Sequence, residues 1–157
     1  MAIKHRPKVG EILECNFGVW DENEKFDGHI PPEMRKRRMV VILNGNIDGK
    51  SSLVIPISSN ESNDPNRKDN TQNEDDILKS VKYHHYLDSS LFHVTDFYDK
   101  RERWALCERI ATVSNKRLFY IFNKNIKLHQ ILPREIVTEI QKKTILALNA
   151  KVLLKNE

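Results

Sequence analysis

Over residues 11–17, EILECNF, apolar and polar side chains alternate, with Leu13, Cys15 and Phe17 on one side and Glu14 and Asn16 on the other. Alternation of this kind predicts a strand with one face buried and one face wet. The next apolar run, RMVVILN over 38–44, does not alternate, which predicts a central strand covered on both faces. NGNIDG, 44–49, then supplies Asn-Gly and Asp-Gly, both strong turn formers. SSLVIPIS, 51–58, is the expected returning strand. Pro56 inside it removes one ladder donor, so an edge position or a bulge is expected there. A short strand is expected over 81–87, VKYHHYL, and an extended stretch over 103–113, RWALCERIATV, with SNKRL as its turn. LFYIF and NIKLHQIL could form a late hairpin. The period changes after Leu132. Ile136, Ile140, Thr144 and Leu148 fall four apart, with Val137, Ile145 and Val152 beside them. Pro133 suits the first helical position and Glu135 the first turn, so an amphipathic helix of about five turns is expected.

Two segments carry no period. Residues 18–36, GVWDENEKFDGHIPPEMRK, are punctuated by Gly and Pro and read as a long loop. Long loops in compact domains are often functional. Residues 59–76 are polar or charged apart from Pro65. Such a segment cannot bury enough apolar area to offset its ordering entropy, so a flexible polar loop is expected over 59–79. No internal repeat is visible. The pattern describes one domain over 1–157, a small β-rich barrel closed by a C-terminal helix.

Composition narrows this picture a little. The chain has 157 residues, 31% charged and 39% hydrophobic, which is ordinary for a water-soluble globular protein. Its net charge of +4 and pI of about 9.0 are compatible with a nucleic-acid partner, but the excess is too small to demonstrate one. No apolar run approaches the ~20 residues of a membrane span, and the first residues lack a secretory apolar segment. No membrane association is expected, and a cytoplasmic location is. Cys15 and Cys107 sit in apolar, strand-like contexts and read as two reduced core thiols. No close Cys/His cluster offers a zinc site.

The candidate chemistry collects at strand ends. Four bases, Arg35, Lys36, Arg37 and Arg38, run directly into the central strand. Ser58 and Ser59 end the returning strand, His84 and His85 lie in the next, and Glu108 follows Cys107. A metal-dependent nuclease needs carboxylates converging on Mg²⁺, and here the acids are scattered or lie in the polar loop. Metal-free RNA cleavage needs something else. A 2′-OH attacks its own phosphate, charge on the phosphorane must be stabilised, and two protons must move. Arg is suited to the charge, a hydroxyl to holding phosphate oxygens, His or Glu to the protons. Each residue also has a plainer account: a strand-end charge, a loop-starting serine, a packed histidine, a surface ion pair. On a strand His84 and His85 point to opposite faces, so at least one of them is packed or solvent-facing. Trp20, Trp104 and Tyr83 could stack on unpaired bases, although such residues more often fill a core.

Several blocks, in order, carry a family likeness: VGEILECNFG, RMVVILN, VIPIS, YHHYL and ALCERIATVSNKRL. Together they resemble the PemK/MazF toxins of type II toxin–antitoxin systems, over most of residues 7–118 and the closing helix. Met39 stands where that family usually has Pro. The resemblance implies a mainly β, SH3-like barrel of the CcdB/MazF type with short helices and a C-terminal amphipathic helix. It implies a symmetric homodimer acting as a metal-independent, sequence-selective endoribonuclease, without cofactor. Such an enzyme cleaves single-stranded RNA to 2′,3′-cyclic phosphate and 5′-OH ends and so blocks translation and growth. It maps a catalytic Arg onto Arg38, a catalytic Thr onto Ser58 and an acid–base Asp onto Glu108. A second Arg of some members falls on Leu106, so the proton-transfer scheme that uses it does not carry over. His84, His29 or one of Arg35, Lys36 and Arg37 could fill that gap. His84, Arg35, Arg37, Ser59 and His29 are the expected RNA contacts. The implied partner is an antitoxin whose acidic, partly disordered segment orders over the basic run.

Two other functions fit the same blocks. One is a non-catalytic toxin of this fold that inhibits gyrase by docking. The other is an RNA-binding barrel with salt-dependent affinity and no product.

Overall fold

The computed structural model describes residues 2–18, 37–59, 81–93 and 102–155. The loops expected over 18–36 and 59–79 fall almost wholly outside that set, and so do Trp20, His29, Arg35 and Lys36. Among the described residues are strands β1 (Ile12–Asn16), β2 (Arg37–Asn44), β3 (Ser51–Ser59), β4 (His84–Leu87), β5 (Arg103–Leu106), β6 (Ala111–Ser114), β7 (Leu118–Phe119), β8 (Ile121–Asn123) and β9 (Ile126–Leu128). One α-helix, α1 (Arg134–Ala147), follows them. The fold is mainly β, as expected. Its main sheet is antiparallel in the order β4-β5-β3-β2-β1-β7, with β6 also on β3, and β8–β9 is a separate hairpin. The described strands form a path with β4 and β7 at its ends.

β2 is central, between β1 and β3, as its unbroken apolar run requires. Alternate residues of these strands feed two apolar clusters. Ile12, Met39, Val41, Ile55, Ile57, Leu87 and Ala105 enter one, which α1 covers with Val137 and Ile140. Leu13, Cys15, Val40, Ile42, Val54, Val113 and Leu118 enter the other. This corrects the reading of β1 as half wet. Ile12 is core, and Glu14, expected to face water, is only 9% exposed. A buried carboxylate needs a partner. Glu14 has the guanidinium of Arg37, whose other flank lies 4.5 Å over the Phe119 ring.

β3 is an interior strand, not an edge, and it changes neighbours midway. Residues Ser51 to Val54 pair with β6, and Ile57 to Ser59 pair with β5. Between β5 and β6 the chain makes a 3-10 turn, Cys107–Arg109, so the extended stretch expected over 103–113 is broken in two. Pro56 lies beyond the β6 pairs and before the β5 pairs, and faces Val40 on the other side. A missing N–H is least harmful where one ladder has ended and the next has not begun.

The helix is shorter than five turns. It runs 14 residues from Arg134, with Pro133 as its cap rather than its first residue. Asn149 adopts φ 58°, the left-handed conformation that commonly ends helices. Leu148 and Val152, expected on the buried stripe, are therefore exposed. At the front of the sheet, Gly10 has φ +84°, and a Cβ there would stand 3.0 Å from Val137 Cγ2. Only glycine lets the chain turn this close beneath the helix.

Candidate active site

The pairing registers set Tyr86, Trp104 and Ser58 in one row across three strands, and Arg38 on the strand next to them. Tyr86 of β4 is opposite Trp104 of β5, Trp104 is opposite Ser58 of β3, and Arg38 of β2 is opposite Cys15 of β1. Arg38 and Ser58 each lie two residues beyond the last β2–β3 pair, Val40 with Pro56. Residues two apart on a strand share a face, so Arg38 and Ser58 lie, on adjacent strands, on the face that Val40 and Val54 define further in. Both are half-buried. Ser59 is opposite Arg103 and points to the other face, away from this pair.

A second group lies on β4 and the 3-10 turn. His84 Nε2 is 2.7 Å from Glu108 Oε1, and Arg109 Nε is 3.5 Å from the same oxygen. The His84 side chain is only 6% exposed, while Glu108 is 27% exposed, so the carboxylate is the reachable member. Lys143 of α1 donates to the His84 carbonyl at 2.9 Å, which ties this strand end to the helix. Leu106, the position of a second family Arg, is buried opposite His84. The 3-10 turn also brings the Arg109 guanidinium to the same carboxylate oxygen.

The remaining candidates are spread out. Arg37 is held by Glu14 and Phe119, on the opposite side of β2 from Arg38. His85 faces the helix-covered cluster, opposite Ala105, and its buried Nδ1 has no hydrogen-bond partner. Burial, then Lys143, lowers its pKa from 6.5 against the pull of Glu139. Trp104 is 5% exposed and so is mostly core. Tyr83 is half-buried with Lys82 4.9 Å over its ring. Burial pushes the Cys15 thiol up to about 12 and the Cys107 thiol up to about 11, so both are protonated and inert at neutral pH. They belong to different clusters and are free. Tyr86 was not singled out from sequence. The signal was present, because in YHHYL it lies two residues from His84 and so on the same face.

Among the described residues no group of three or more His, Cys, Asp or Glu is arranged to hold a metal ion, and no helix is long and apolar enough to cross a membrane.

The chain is similar to several known proteins. Residues 8–148 match the family described as PemK-like, MazF-like toxin of type II toxin–antitoxin system. An uncharacterised protein of Haemophilus influenzae (strain ATCC 51907 / DSM 11121 / KW20 / Rd) is 48% identical over 155 residues, 98% of this chain and 99% of its own length. The protein YifN of Escherichia coli (strain K12) is 37% identical over 161 residues, again 98% of this chain and 99% of its own. Among solved structures, Mycobacterium tuberculosis toxin MazF-mt6 aligns with a TM-score of 0.47 and 12% identity, over 74% of this chain and 91% of that one. With the family matched across almost the whole chain, the protein belongs to the PemK-like, MazF-like toxins of type II toxin–antitoxin systems.

Proposed function

We propose that the protein is a metal-independent endoribonuclease toxin that cuts single-stranded RNA. The observation that carries this reading is the placement of Arg38 and Ser58 on one face of adjacent strands. A charged fork and a hydroxyl side by side form a cradle for one phosphate. In the reaction the ribose 2′-oxygen bonds to phosphorus and the bond from phosphorus to the 5′-oxygen breaks. Arg38 stabilises charge gathering on the non-bridging oxygens, and Ser58 donates to one of them. The 2′-OH proton passes to Glu108, which His84 orients through its 2.7 Å bond; the departing 5′-oxygen takes a proton from solvent water, and Glu108 returns its own to solvent. The products are a 2′,3′-cyclic phosphate and a 5′-OH. His84 in this scheme is a positioning residue.

The test is a gel of single-stranded RNA incubated with purified variants, read as kcat and KM. Arg38→Ala is expected to lower kcat by about 10²–10³ or more. Glu108→Gln is expected to lower kcat by about 10²–10⁴ with little change in KM. His84→Gln, which can still donate to Glu108, retains more activity than His84→Ala. Added chelator leaves the rate unchanged. Cutting at the normal rate by Arg38→Ala overturns the assignment of the cradle, and loss of activity in chelator overturns the metal-free mechanism. Intact RNA with the wild-type protein favours a toxin that acts by docking.

The family sets two further expectations, an antitoxin partner and a homodimer. We propose that the antitoxin's acidic segment covers the basic entrance to β2, where its carboxylates meet Arg38 and the bases that precede it.

A further inference from the structure

The row Tyr86–Trp104–Ser58, with Arg38 on the next strand, is more than a cradle with neighbours. Its far end is an aromatic ring held up to solvent. Tyr86 is 45% exposed on the last strand of the sheet path, while Trp104 beside it is 5% exposed. The two rings are 5.7 Å apart and tilted by 60°, so Trp104 props the Tyr86 ring from one side without covering it as a flat stack would. The Tyr86 side chain is thereby fixed on a rigid sheet face, not on a loop.

We propose that Tyr86, supported by Trp104, is the platform on which an unpaired base of the RNA stacks, next to the phosphate that Arg38 and Ser58 hold. The proposal rests on the ribonuclease reading for the location of that phosphate. Tyr86 and Ser58 are two strands apart in register. At about 4.8 Å per strand the separation is about 10 Å. The base of a nucleotide adjoining the cut reaches over such a distance, because it hangs from the ribose away from the backbone. Charge fixes the polarity of the arrangement. Glu102 and Asp88 lie close enough to Tyr86 that they, after burial, raise its pKa, and Asp88 is further held by the Ser90 backbone N–H. Two carboxylates beside the ring repel a phosphate, so the ring receives a base while the phosphate goes to the guanidinium end. Stacking on an aromatic face is a common way to hold single strands.

Binding and cutting are measured separately. Binding uses a short fluorescent single-stranded RNA pool of mixed sequence, 2′-O-methylated so that it cannot be cut, and a matching strand without bases. Cutting uses a long unmodified transcript. Tyr86→Ala is expected to weaken binding of the base-bearing strand by about five- to one-hundred-fold. Tyr86→Phe keeps the ring and is expected to stay within about twofold of wild type. On the strand without bases the wild type and Tyr86→Ala bind alike. The platform is overturned if Tyr86→Ala binds the base-bearing strand as wild type does, if Tyr86→Phe loses as much as Tyr86→Ala, or if the loss persists without bases. Wild-type binding at undetectable levels overturns it as well. Wild-type binding with the expected Tyr86 dependence but no cut transcript supports the platform and overturns the ribonuclease reading instead.

Discussion

At the residue scale, neighbours in sequence do different work because a strand sends them to opposite faces. Arg37 is a structural base, spent on Glu14 and Phe119, while Arg38 joins Ser58. His84 orients a reachable carboxylate, while His85 is packed towards the helix. His85 has a consequence for stability. Its pKa is lowered from 6.5, chiefly by burial and then by Lys143, with Glu139 opposing. The unfolded chain therefore binds the His85 proton more readily than the folded one. Stability contributed by the neutral ring is complete above 6.5 and falls as pH drops through 6.5 towards the lowered value. His85→Phe is expected to flatten that part of the profile, with urea midpoints on either side of 6.5 as the measurement. An equal acid slope in the variant would show that the ring does not titrate in this way.

Strand alternation by itself separates His84 from His85, and in YHHYL it also puts Tyr86 on the face of His84. What it could not supply was the exposure of each face. EILECNF has the pattern of a half-wet strand, yet both of its faces are buried. The second face is closed by an ion pair between residues that are distant in sequence, and such a pair leaves no local trace.

At the scale of elements, most strands were legible because their apolar runs are bounded by Gly, Asn and Asp. The break between β5 and β6 was not, since CERI carries no Gly or Pro to mark a turn. The interior position of β3 was hidden for a related reason. Pro56 argued for an edge or a bulge, and it is the change of partner along that strand that leaves room for a proline there. The helix end was hidden too, because the apolar stripe continues past Asn149 although the helix does not. The turn between β2 and β3 was read correctly from NGNIDG, and its first glycine has a second duty. A Cβ on Gly45 would come 2.0 Å from the Pro7 carbonyl oxygen. Gly45→Ala must push two backbone segments apart and is expected to destabilise the fold by about 1–3 kcal/mol, read from urea unfolding. An unchanged midpoint would mean that the 2–10 segment yields freely.

At the scale of the whole molecule, the charge of +4 said little, and the order of the family blocks said most. The fold class was legible because five short blocks keep their order and spacing. The ion pair of Arg109 with Glu108 was less so, because it depends on a 3-10 turn that CERI does not announce. Expression of the chain without an antitoxin is expected to arrest bacterial growth, and Arg38→Ala to relieve the arrest. The measurement is colony formation after induction, with immunoblots showing equal protein. Arrest by both forms would point to a toxin that acts without cutting.

The change of partner along β3 also bears on how the protein is made. Ser58 stands opposite Trp104, and the helix that pins β4 through Lys143 comes last of all the long elements. Early strands can pair as they leave the ribosome, but the outer half of β3 around Ser58 waits for β5. A chain that stops before β5 therefore leaves Ile57 to Ser59, the outer half of β3, without the strand that pairs with it.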